Sequence, residues 1–322
     1  MTNRDELFRS FLEILENKVP EKAKLVDLLM EILFIEKGAV NRRLRGEVPF
    51  SSYEVAIIAK KLDISLNSLI NKGIVPTEHY ELNLIEYSNM SENDYKHWED
   101  YNAMINETKD DPNSEMVESS NVLPLSIYAG FDSLQKFYLF KYQYLFLGTE
   151  NRVTFGDLAL TERLSRIYKS YFNVTKNFAT TIYIWDYLIF QYLVTDIRFF
   201  SSVNLISEDE VRQIKTDLFA LVEYVEEFTW SGFFKETGRL VYLYIADINL
   251  DADYSCLKFN NLYLSHLRAF VLNSVVSSDP STYIKLRDCI FSHKKCSTLI
   301  TRSGAIYRAD FFEKQRTIIS AL

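Results

Sequence analysis

Residues 178–195 read FATTIYIWDYLIFQYLVT. This is the longest run of low charge in the chain, and the fold class turns on how it is read. Asp186 and Gln191 sit near its middle. A carboxylate at mid-bilayer depth is costly, so a buried core helix fits the run better than a membrane span. Working outward, the neighbouring segments also read as helices. FDSLQKFYLFKYQYLFL (131–147) is apolar nearly all round, as a central helix would be. Residues 157–175 and 178–200 continue the helical pattern, and 207–228 opens with Glu208, Asp209 and Glu210, which suits a helix N-terminus.

The period then shortens. RLVYLYIADI (239–248), SCLKFNNLYLS (255–265) and RAFVLNSVV (268–276) are expected as short strands, with Asn260-Asn261 as a hairpin turn. Helices are expected again near 281–292 and 304–319. With only 9 glycines and 6 prolines in 322 residues, long regular elements should dominate. The expected fold is therefore mostly α, near all-α in class. It has a five-helix N-terminal domain (1–76), an acidic connector (77–124), and a C-terminal helical domain (125–322) with a small antiparallel β element. No internal repeat marks a solenoid.

Charge is partitioned sharply. Residues 1–76 hold 12 Lys and Arg against 11 Asp and Glu, a net of +1, while 77–120 hold 2 against 12, a net of -10. The whole-chain net of -8 thus sits almost entirely in one segment. Within it, SENDYKHWEDYNAMINET (91–108) reads as a helix capped by Ser91. KDDPNSEMVESSNVLP (109–124) reads as a polar loop or linker. Such a segment is either a solvated hinge or an electrostatic mimic of DNA that masks a basic patch. That patch is 37–61, with six basic and two acidic residues.

The first block reads as short helices. Leu7, Phe11, Ile14 and Leu15 share a face, and Pro20 resets the chain. Leu25, Leu28, Leu29, Ile32 and Leu33 share the next face. After Gly38, residues 39–45 form a short helix with Val40 and Leu44 inward, ended by Gly46. Ser51 or Ser52, with Glu54, should cap a helix beginning near 52, and a fifth helix follows the DIS of 63–65.

Two stretches resemble the helix-turn-helix head of phage-repressor-type transcription regulators. VNRRLRGE (40–47) resembles the recognition helix with its terminal glycine, and VPFSSYEVAIIAKKLDISLNSLI (48–70) resembles the two helices that follow it. The likeness covers roughly 20–72. Met30 stands where a small residue is usual and Phe34 where a glycine usually makes the turn, so the two helices are expected to be pushed apart. The resemblance implies major-groove binding by the short helix. Physics agrees: Val40 and Leu44 anchor it, Lys37, Asn41 and Arg45 recur on one side, and Glu36, Arg42 and Arg43 flank them. Asparagine suits adenine, and arginine suits guanine or phosphate.

Catalytic signatures are missing from the sequence: no phosphate-binding glycine loop, nucleophile elbow or HExxH occurs. Cys289, His293 and Cys296 could share a helix face, and with Cys256 or His266 would complete a zinc set. Buried thiols and a surface histidine account for them equally well, and no metal or cofactor is expected. Three cysteines with no CxxC suit a reducing cytoplasm, and no secretory leader is read. Of 47 aromatic residues, 37 follow residue 120, enough for a dimer interface, an apolar pocket or simply a core. The expectation is a cytoplasmic, homodimeric regulator on double-stranded DNA, not an enzyme and not a membrane protein. Its C-terminal domain would dimerise or sense a small-molecule or protein effector. The other reading is a protein-interaction scaffold carrying a relic head.

Overall fold

A computed structural model describes residues 3–62, 64, 80–82, 84–146 and 153–322. The chain forms two compact units, Met1–His79 and Tyr80–Leu322. In the first, α1 (Asn3–Lys18), α2 (Lys22–Leu33), α3 (Lys37–Leu44) and α4 (Ser52–Leu62) enclose a core of Phe11, Leu15, Leu25, Leu29, Val40 and Ile58. Gly38 lies inside α3 and does not interrupt it. Ser51 Oγ accepts from Glu54 N at 3.2 Å while Ser51 N donates to the Glu54 carboxylate at 2.8 Å, the reciprocal cap expected at the start of α4. The expected fifth helix falls in 65–70, outside the described residues.

The second unit is not mostly helical with a small β element. Among the described residues it is built on an eight-stranded mixed sheet, which overturns the all-α reading. The strands are β1 (Glu81–Leu82), β2 (Glu115–Ser120), β3 (Thr180–Asp186), β4 (Leu240–Ala246), β5 (Tyr254–Phe259), β6 (Leu262–Ala269), β7 (Asn273–Ser277) and β8 (Ser297–Leu299). Their spatial order is β1-β7-β6-β5-β2-β3-β4-β8. β2, β3 and β4 run parallel, and every other pairing is antiparallel. Helices α5 (Glu92–Asn106), α6 (Leu125–Tyr128), α7 (Asp132–Phe146), α8 (Glu162–Val174), α9 (Ile189–Ser202), α10 (Glu208–Ser231) and α12 (Ala305–Ser320) contribute to the large core on one face. α11 (Pro280–His293) covers β2, β5 and β6 on the other.

Two segments account for the misreading. The run 178–200 is not one helix but β3, a turn and α9. Its start, TTIYIW, is β-branched and aromatic, which favours a pleated surface. Ile182 and Ile184 face α11, while Tyr183 and Trp185 enter the larger core, so both faces are buried and no polar alternation survives. Asp186 ends the strand: its carboxylate accepts from Leu188 N at 2.8 Å and Leu250 N at 2.9 Å, tying two turns together. The 109–124 segment is not a linker either, because β2 lies in the middle of the sheet between β5 and β3. Its buried polar side chains have partners. Ser126 Oγ donates to Glu118 at 2.9 Å, and Ser119 Oγ lies 2.9 Å from His293 Nδ1.

The acidity of this region serves the second unit. Glu115 forms a bidentate pair with Arg287 at 2.6 and 2.9 Å, Glu92 and Glu99 share Arg163, and Asp111 accepts from Asn260 N at 2.6 Å. The expected strand 268–276 is also divided, by a turn at 270–272 between β6 and β7. No helix among the described residues is long and apolar enough to cross a membrane.

Candidate nucleic-acid interface

α2 and α3 are joined by three residues. Phe34 caps α2 at φ 54°, ψ 42°, in the left-handed region that glycine occupies at low cost. The backbone thus makes the close turn that a bulky residue was expected to open, and the ring points away from the core, 91% exposed. Glu36 then caps α3, its carbonyl accepting from Ala39 N at 2.9 Å and Val40 N at 3.1 Å. Val40 is fully buried and Leu44 half-buried, so one stripe of α3 is committed to the head's core. Gly46 takes φ +77°, and a Cβ there would meet the Phe8 ring at 3.2 Å.

The opposite stripe holds the residues expected to read DNA. Lys37, Arg42 and Arg45 are exposed, Glu36 is exposed beside them, and Asn41 is half-buried. Arg45 reaches Glu47 at 2.8 Å, a pair solvated on both sides and readily exchanged for a phosphate. Arg43 differs. Its guanidinium meets Glu54 at 2.8 Å and donates to Ala39 O at 3.3 Å, and both charged side chains are less than a fifth exposed. Burial pushes the Glu54 carboxyl up, but hydrogen bonds from Arg43 and from Ser51, with the Arg43 charge, hold it below the usual range. Arg43 therefore locks α3 to α4. Spacing alone could not reveal this, because it depends on where α4 packs. Tyr53 in the first turn of α4 is also strongly exposed, and it too was not singled out by sequence.

The cysteine and histidine set does not converge. Cys289 and Cys296 are free and exposed, and Cys256 is buried on β5, with its thiol pushed up to about 12 by burial. His293 is engaged by Ser119, and His266 lies 3.2 Å from the Tyr101 hydroxyl, its imidazole lowered to about 4 by burial. Among the described residues, no three His, Cys, Asp or Glu side chains form a group that could hold a metal ion. The Ser119–His293 contact is no nucleophile pair, since Ser119 is fully buried within the sheet.

No family model, curated protein or solved structure matches the chain.

Proposed function

We propose that this protein is a sequence-specific DNA-binding transcription regulator, with the α2–α3 pair as a helix-turn-helix of the phage-repressor type. The observation that carries the reading is the division of α3. Val40 is sealed in the core while Lys37, Arg42 and Arg45 present three cations to solvent in an otherwise acidic protein. Lys60 and Lys61, exposed at the end of α4, add to the same sign of charge. Asn41 is the residue assigned to base reading, and Arg42 and Arg45 to phosphates or guanine. Binding, not catalysis, is the chemistry assigned to the chain, in the cytoplasm, where its three unpaired cysteines would stay reduced.

A single short helix reads few base pairs, so a homodimer on two half-sites is part of the proposal. Tyr144, Leu145 and Phe146 at the end of α7, with Phe199 on α9, supply exposed apolar surface for it. Effector sensing by the second unit, through a small molecule or a protein, belongs to the same proposal. The test is duplex binding followed by fluorescence anisotropy between about 50 and 200 mM salt. Three phosphate contacts per head predict a log–log slope of about -3 per head. A flat dependence, or no binding, favours the scaffold reading with a relic head.

A further inference from the structure

The parallel strands β2 and β3 end side by side at Ser120 and Asp186. Ligands of open α/β sheets characteristically sit beyond the carboxyl ends of such strands. Here a cavity of about 520 Å³ opens between the segments that follow β2 and β3, the approach to β5 and the end of β6. Its residues come from well-separated parts of the chain, so no local motif announces it.

The charge of its wall is decided by which groups are already paired. Lys141 meets Asp196 at 2.5 Å. Arg268 meets Asp253 at 3.3 Å and also donates to Val271 O at 2.6 Å and Leu123 O at 3.4 Å. Neither cation is left for an anion. Asp251, exposed on the same wall, forms no ion pair among the described residues. The excess charge is negative.

The remaining surface is aromatic and apolar. Tyr192 and Phe270 stand partly exposed at the cavity, with Ile189 and Leu193 beside them. Tyr138 provides an independent sign of a ligand. It lines the cavity and is only 4% exposed, yet its hydroxyl makes no hydrogen bond among the described residues. The ring is held by stacking on Tyr128, with centroids 3.9 Å apart, so the hydroxyl cannot readily turn away. A hydroxyl that opens onto a cavity without a protein partner is available to accept a hydrogen bond from a ligand.

We propose that this cavity binds a small organic cation, an amine carried on an apolar or aromatic body. The ammonium pairs with Asp251 and donates to the Tyr138 hydroxyl, while the body packs against Tyr192 and Phe270, whose ring faces also favour a cation. This deepens the sensing role given to the second unit. Calorimetry on the free protein tests it whether or not the head binds a duplex.

The experiment titrates the full chain with phenethylammonium, and in parallel with neutral 2-phenylethanol and anionic 3-phenylpropionate. Saturable one-to-one binding of the ammonium is expected at roughly millimolar affinity, suited to so few atoms. The alcohol should bind more weakly and the anion not at all. Asp251→Asn, a change at an exposed position, should weaken the ammonium about fivefold without moving the thermal melt. Tyr138→Phe, which removes only the hydroxyl, should also weaken it. Three results overturn the proposal: no saturable heat with the ammonium up to about 10 mM, anion or alcohol binding at least as tight as the ammonium, or an Asp251→Asn chain that binds it as the parent does.

Discussion

Arg42 on α3 is exposed and has no ion-pair partner among the described residues. Arg268 on β6 is half-buried and donates to Val271 O, Leu123 O and Asp253. The same guanidinium thus meets opposite surroundings in the two units. Where the donors are satisfied by fixed carbonyls and a carboxylate, the side chain holds neighbouring segments together and cannot be spared. Where they are left to water, they can be exchanged for another partner at little cost. Arg43, about as little exposed as Arg268 and held by Glu54 and Ala39 O, belongs with Arg268 and not with its neighbour Arg42. An arginine cluster is therefore informative only once each member's partner is known.

The largest break in this comparison should come at Arg268. Arg268→Met leaves Asp253 without its cation in a site with little solvent, and the second unit should lose about 3 kcal/mol. Urea unfolding followed by tryptophan fluorescence reads it selectively, since Trp98, Trp185 and Trp230 all lie in that unit. A loss no greater than that of Arg42→Ala would erase the distinction.

Next comes the exposed pair. Arg42→Ala with Arg45→Ala should leave stability within about 0.5 kcal/mol while weakening duplex binding on the order of tenfold or more and reducing the salt slope by about 2. Asn41→Ala should alter base preference more than slope. Unchanged affinity in the folded double variant would remove these arginines from the interface.

A smaller effect, of opposite sign, is expected at the turn. Phe34→Gly relieves a left-handed residue that packs against little, so the head should gain about 1 kcal/mol. Hydrogen exchange of α2 and α3 amides in the full chain measures it. Faster exchange in the variant would mean that the exposed ring makes contacts that outweigh its backbone strain.

The smallest effect is a pH dependence. Burial, and then the Asp253 charge, hold the Glu118 carboxyl well above the usual carboxylate range, against the Ser126 hydrogen bond and Arg268. The folded state therefore keeps a proton that the unfolded state has released. Between the unfolded and the raised folded values, Glu118 makes stability fall as pH rises. Glu118→Gln abolishes that term. The variant should gain on the parent with rising pH, by on the order of 1 kcal/mol near neutrality. A gap that stays constant from acid to neutral pH would show that Glu118 titrates normally.

What the sequence disclosed follows from how each element is buried. The β5–β6 hairpin was legible because Asn260-Asn261 marks its turn, and Asn260 does adopt φ +50°. Helix α5 was legible from its cap, Ser91, and α10 from its acidic first turn, Glu208, Asp209 and Glu210. β3 was hidden by its own burial, since a strand covered on both faces reads as a continuous apolar run that a buried helix also produces. β2 was hidden for the opposite reason. Its Glu118, Ser119 and Ser120 look like a solvated loop, and their partners Ser126 and His293 can be found only in three dimensions. On α3 the periodicity separated anchor from outer face, but not Arg43 from Arg42. The cavity was invisible, because part of its wall follows β2 and β3, which the sequence did not disclose, and only their place in the sheet brings that part to the residues flanking β5 and β6.

The position of β2 sets an order of completion during synthesis. It is made before both of its neighbours, pairing with β3 at 180–186 and then with β5 at 254–259. The head needs nothing beyond its own first residues, whereas β2 waits for more than a hundred residues before its second edge is closed. A chain stalled in that interval carries a finished head and, behind it, a strand with a free row of amides and carbonyls, which is a template for pairing with other chains. Slower translation between residues 120 and 254 is therefore expected to lower yield even where the completed sheet is equally stable.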